Sequence, residues 1–134
     1  MQLTKWTDYS LRVLMYCAQH YDREEPITID EILEFHQLSK SHITKIVSQL
    51  ANSGLLITTR GRLGGISLAK PAHKIYIGEV VRLTETDFNM VECFNKKNNN
   101  CKITNRCKLK HHLFKATDDF LKTLDGVSLS QVIN

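Results

Sequence analysis

Leu11, Leu14, Met15 and Ala18 recur three and four residues apart, the spacing of one apolar face on a helix spanning roughly residues 7–21. Thr7 stands as the candidate cap of that helix. Asp8 follows in its first turn, where a carboxylate suits the positive end of the helix dipole. The acidic, proline-containing stretch Asp22 to Pro26 breaks the pattern. Thr28 and Glu31 then have capping-box spacing, and Ile27 with Ile32 have that of a hydrophobic staple, so a short second helix starts there and runs to about His36. Ser39 repeats the signal between Leu38 and Ile43, and Ile43, Ile46, Val47 and Leu50 form the apolar stripe of a third helix that Gly54 stops. A short helix, a tight connection and a second amphipathic helix make a helix-turn-helix. The other side of the third helix carries Lys40, Ser41, Thr44, Lys45, Ser48, Gln49 and Asn52, which can donate to phosphates and base edges.

The period then changes. Leu55 to Thr59 reads as a β-branched strand, Arg60 to Gly65 as a glycine-rich turn and Ile66 to Leu68 as a returning strand, which together predict a wing with Arg60 and Arg62 at its tip. Ile77 to Leu83 can form a short helix, whereas Thr84 to Asn105 is polar and poorly patterned. From about Thr104 a long helix resumes, with Leu109, Leu113, Phe114, Phe120, Leu121 and Leu124 on one face and Gly126 as its stop. So much apolar surface on one helix of a small domain calls for a partner, and a homodimer is expected. Ser128 and Gln131 offer a last capping box. The expected fold is mainly α with a small β-hairpin: a winged helix-turn-helix over 1–83, a cysteine-bearing loop over 84–107, and a dimerisation helix with its tail over 108–134.

Charge sharpens this picture. The net charge of +4 is modest, but no acid lies between Glu34 and Glu79, where Lys40, Lys45, Arg60, Arg62, Lys70 and Lys74 all fall. These cations sit on the two elements that would enter the grooves of double-stranded DNA, which makes Lys40, Ser41, Lys45, Arg60 and Arg62 the expected contacts. His42 is placed either to contact a base or phosphate or to cover Leu38. The longest apolar run, Val13 to Ala18, is far too short for a bilayer, and the polar start of the chain lacks the apolar stretch of a secretory signal, so a cytoplasmic protein is expected. Paired carboxylates, an activated nucleophile and a phosphate-binding loop are all missing from the pattern, which argues against an enzyme.

In a reducing compartment Cys17, Cys93, Cys101 and Cys107 are poor candidates for disulfides. Cys17 falls on the apolar face of the first helix and reads as core. The other three lie in a basic, acid-free stretch from Cys93 to Thr117 with no apolar reason to hold them. Zinc prefers C-x2-4-C pairs, while the spacings here are seven and five intervening residues. Soft thiolates on a long loop suit an iron-sulfur cluster, and the neighbouring lysines and arginines favour thiolates and offset its charge. Three thiolates leave one ligand unassigned. His111 and His112 read as surface positions.

Four segments carry a resemblance: Thr7 to Leu14, Arg60 to Leu68, Ile77 to Arg82, and the loop of the three late cysteines. Together they resemble the winged-helix iron-sulfur regulators, over nearly the whole chain. The nearer likeness is to the nitric-oxide-sensing, NsrR-like branch of that family, through Asp87 to Cys93 and Cys101 to Lys110. The resemblance implies a repressor that binds an inverted-repeat operator as a homodimer and releases it when nitric oxide attacks the cluster. It implies Cys93, Cys101 and Cys107 as ligands, with Asp8 of the opposite subunit as the fourth. IscR-like members use a histidine three residues after the last cysteine, where this chain has Lys110. The resemblance favours a [4Fe-4S] cluster over a [2Fe-2S] one, although the C-x7-C spacing departs from the family's usual five, and the extra asparagines lengthen the loop. The alternatives are the same architecture sensing iron-sulfur supply or redox state, an electron carrier, and a zinc-stabilised DNA-binding protein.

Overall fold

The computed structural model describes residues 1–134. Five α-helices and one hairpin follow in the order α1 (Lys5–Gln19), α2 (Ile29–His36), α3 (Lys40–Asn52), β1 (Leu56–Thr59), β2 (Gly65–Leu68), α4 (Ile77–Thr84) and α5 (Lys108–Asp125), with single 3-10 turns between and after them. The mainly helical fold with an antiparallel wing is as the hydrophobic pattern predicts. One core, built from Val13 and Leu14 of α1, Ile32 of α2, Ile43, Ile46 and Leu50 of α3, Val80 and Val81 of α4, and Leu129 of the tail, is closed to water.

The first helix starts earlier than expected, and the reason is tertiary. Thr4, not Thr7, is the cap, its hydroxyl oxygen accepting from the Thr7 N–H at 3.3 Å. Thr7 is fully buried, and its hydroxyl accepts from Thr84 at 2.9 Å, linking α1 to α4. The second helix is capped as its sequence indicates, Thr28 accepting from the Glu31 N–H at 3.2 Å. Ser39 takes the cap position of α3, but its side chain makes no capping bond. The long helix begins at Lys108 rather than at Thr104, because residues 104–106 form a separate 3-10 turn in which the Thr104 hydroxyl donates to the Cys101 carbonyl.

The Glu31 carboxylate accepts two 2.6 Å bonds from Arg23 and one from the Tyr16 hydroxyl, so it ties α1, the α1–α2 loop and α2 together. Arg23, and then Tyr16, hold its carboxyl down to about 2. Close by, His36 packs against Tyr16 with its Nε2 buried and unpartnered, and burial together with the Arg12 charge holds its pKa below the usual imidazole value. Both shifts act in one direction. His36 stabilises the fold fully above its ordinary value near 6.5 and Glu31 above its own near 4.5, and each contribution is lost as pH falls through and below those values. Thermal unfolding followed across that range is expected to show a midpoint that drops in two stages. Glu31→Gln removes the lower stage and costs about 1–3 kcal/mol at neutral pH.

Candidate DNA-binding and cluster site

The third helix buries Ile43, Ile46, Val47 and Leu50 and leaves Lys40, Ser41, His42 and Lys45 in solvent. Lys40 makes a loose ion pair with Asp30 at 3.4 Å, both side chains more than two-thirds exposed, which solvent screening makes readily exchangeable for a phosphate. Gln49 departs from its expected place on the polar face. Its amide is held inside the protein, accepting from Trp6 Nε1 at 2.5 Å and donating to the Leu83 carbonyl at 3.1 Å.

The wing pairs Leu56 with Leu68 and Thr59 with Gly65, so the turn spans five residues and carries both Arg60 and Arg62, fully solvent-facing. Two glycines make that turn. Gly61 has φ +100°, and a Cβ on Gly64 would stand 2.1 Å from the Thr59 carbonyl oxygen. The base of the wing is stitched to the rest of the helix-turn-helix: the Ile66 N–H donates to the Ile27 carbonyl at 2.7 Å, and the Leu55 N–H donates to the Leu50 carbonyl at the end of α3 at 2.9 Å. Lys40, Ser41, His42, Lys45, Arg60 and Arg62 thus face outward from a frame held by main-chain bonds.

The cysteines divide by environment. Cys17 lies in the core at 1% exposure, and burial pushes its thiol up to about 12, which removes it from thiolate chemistry. Cys93, Cys101 and Cys107 are free thiols on the loop before α5. Cys93 is buried beside a groove of about 450 Å³ that Phe88, Phe94 and Phe114 also line. Cys101 and Cys107 are partly exposed.

Apolar packing holds the start of this loop, where Phe94 meets Phe114 edge-on with ring centroids 5.9 Å apart. Asparagine and aspartate side chains also shape it: Asp87 accepts from the Asn89 N–H, Asn95 from the Lys97 N–H, and Asn99 from the Cys101 N–H at 3.0 Å. Cys107 occupies the N-cap of α5, and its sulfur accepts from the Lys110 N–H at 3.3 Å. That sulfur stands at the positive end of the helix dipole. Sequence reasoning missed this cap, since cysteine is not among the residues usually read as one.

As a donor set, three free thiols on a stretch rich in lysine and arginine suit an iron-sulfur cluster. The protomer does not gather them: no three of its His, Cys, Asp and Glu side chains form a group that could hold a metal ion. Asp8 is engaged within its own helix. Arg12 Nε and a terminal nitrogen donate to its two oxygens at 3.0 and 2.9 Å.

Residues 3–134 match the Rrf2 family of iron-dependent transcriptional regulators. This chain belongs to the Rrf2 family. Its Rrf2 relatives include the HTH-type transcriptional regulators NsrR of Bacillus licheniformis and Oceanobacillus iheyensis, each 45% identical over 133 residues. Those matches cover 99% of this chain and 92% and 90% of the relatives. NsrR of Bacillus subtilis is 44% identical over the same length. Among solved structures, the global cysteine regulator CymR of B. subtilis superposes with a TM-score of 0.75 at 24% identity, over 97% of this chain and 94% of that one. IscR of T. potens gives 0.73 at 22% identity, over 97% and 84%. These two share the fold. As an Rrf2 member with NsrR relatives along its whole length, the protein is a DNA-binding transcriptional regulator, not an enzyme, and none of its helices is long and apolar enough to cross a membrane.

Proposed function

We propose that the protein is a homodimeric repressor that binds an inverted-repeat operator while Cys93, Cys101 and Cys107 hold an iron-sulfur cluster, and that it lets go when nitric oxide reacts there. The observation that carries this reading is the position of the Cys107 sulfur, which caps the one α-helix that has no fully buried residue. Phe114 and Leu109 on that helix are 64% and 63% exposed, and α5 has no buried residue at all. A second copy laid against α5 covers that surface, consistent with residues 108–134 as the dimerisation segment.

When bound, the cluster supplies iron that reacts with nitric oxide. The chain does the rest. Cys107 holds its sulfur at the start of α5, and the Arg82–Asp125 ion pair joins the far end of α5 to α4. From Asn95 to Cys107 the loop is shaped by side-chain to main-chain bonds of Asn95, Asn99 and Thr104, so closing its thiols around a cluster would rearrange turns rather than a packed core. A [4Fe-4S] group suits three cysteines plus an oxygen ligand, with a [2Fe-2S] group as the alternative. For the partner subunit's Asp8 to be that fourth ligand, one carboxylate oxygen must leave Arg12. Arg12 would keep the other, since its fork donates two separate bonds.

The test is anaerobic reconstitution with iron and sulfide, followed by visible absorption and DNA binding before and after nitric oxide. The expected result is a coloured dimer that binds a duplex selected from a random pool and loses both colour and affinity with nitric oxide. A colourless reconstituted protein, or undiminished binding after the colour is lost, sinks the proposal.

A further inference from the structure

Three elements meet through polar groups where the start of α1, the second half of α3 and the end of α4 come together. Gln49 of α3 is bonded at both ends of its amide, to the Trp6 indole and to the Leu83 carbonyl. Beside it the Thr4 N–H and hydroxyl donate to Glu85 Oε1 at 2.7 and 3.1 Å, and the buried Thr84 hydroxyl donates to Thr7. The chemistry fixes the amide's orientation. An indole N–H only donates and a main-chain carbonyl only accepts, so the oxygen must face Trp6 and the NH2 must face Leu83.

Elsewhere α3 is seated by Ile43, Ile46, Val47 and Leu50. Such contacts oppose separation and large rotation, but the hydrophobic effect has no direction and sets the fine angle of the helix less sharply than a hydrogen bond does. A two-ended hydrogen-bonded bridge fixes that angle. Rotation matters because Lys40, Ser41, His42 and Lys45 project from the same helix into solvent, and hydrogen bonds to base edges weaken steeply with misalignment.

We propose that Gln49 is a positioning residue for DNA recognition: the Trp6–Gln49–Leu83 bridge sets the rotation of α3 and carries any displacement of the start of α1 to that helix. The transmission half rests on the reading that the partner subunit's cluster is served by Asp8, two residues beyond Trp6.

Trp6 is the chain's single tryptophan, so its emission reports the bridge directly. The experiment uses the full-length, anaerobically reconstituted protein with Gln49→Leu and, from the far side of the bridge, Trp6→Phe. Each is measured on a duplex the wild type selects from a random pool and on a shuffled duplex of the same length. Each variant is expected to lose about tenfold in affinity for the selected duplex, the scale of one unpaired buried polar group, and to change less than about twofold on the shuffled one, where phosphate contacts dominate. In the wild type, adding the selected duplex shifts Trp6 emission. In Gln49→Leu that response disappears.

On exposure to nitric oxide both variants should lose their visible absorption as the wild type does, while their affinity for the selected duplex changes by a much smaller factor. Selected-to-shuffled affinity ratios equal to the wild type's in both variants, or equal losses on both duplexes, overturn the positioning role. If wild-type affinity itself ignores nitric oxide, the sensing reading fails and the transmission half falls with it; the duplex ratio still decides the positioning half.

Discussion

Cys93→Ala, Cys101→Ala and Cys107→Ala are each expected to abolish the visible absorption of the reconstituted protein, while Cys17→Ala leaves it intact. The contrast follows from environment. Cys17 is walled into the core with its thiol pushed up to about 12, whereas the other three stand on a loop shaped by asparagines among cations. The colourless variants are also expected to bind a selected operator at least about tenfold more weakly, because specific binding exceeds non-specific binding by about 10³ or more and depends on the poise of α3. Cys107→Ala additionally removes the cap of α5, so far-ultraviolet circular dichroism should show some loss of helix in that variant beyond what Cys101→Ala shows. Asp8→Ala should keep the dimer and the colour but shorten the cluster's lifetime under oxygen or chelator. Loss of absorption in Cys17→Ala equal to the others would overturn the ligand set. An unchanged lifetime in Asp8→Ala returns that residue to its ion pair with Arg12.

Salt is the second large lever. If each protomer brings about four basic groups to phosphates, a dimer neutralises about eight, and the logarithm of the binding constant should fall with the logarithm of salt with a slope near about −7. Between 50 and 200 mM that amounts to about a ten-thousandfold loss. Arg60→Ala and Arg62→Ala should each weaken operator binding by about 1–3 kcal/mol and leave the visible spectrum untouched, since both residues lie on the β1–β2 turn and neither is a candidate ligand. A slope near zero, measured by anisotropy titration, would exclude this face as the DNA surface.

What could be read without coordinates was whatever is decided within a few residues. The Thr28 cap, the stripe from Ile43 to Leu50, the hairpin glycines and the Ser128–Gln131 box are all short-range signals, and all appear in the structure. The failures were long-range. Thr7 looked like a cap because its partner Thr84 lies 77 positions away, and Gln49 looked like a DNA contact because Trp6 and Leu83 are 43 and 34 positions off. The α5 start was misjudged because helical spacing continues through a 3-10 turn that Asn99 and Cys101 close locally. The cysteine loop was legible as chemistry and opaque as shape, since runs of asparagine specify turns without specifying where those turns lead.

The bonds that stitch the hairpin to its surroundings have a mechanical meaning. Ile66 is anchored to the α1–α2 loop and Leu55 to the end of α3, so main-chain bonds set the recognition helix and the arginine-bearing turn as the two jaws of a calliper. Such a tool measures an offset rather than adapting to one. If Arg60 and Arg62 enter a minor groove while α3 occupies the adjacent major groove, the strain of a mismatched half-site falls on the nucleic acid. Stiff sequences with the wrong groove spacing are then rejected at base pairs no side chain reaches, and the deformability of the duplex becomes part of the address.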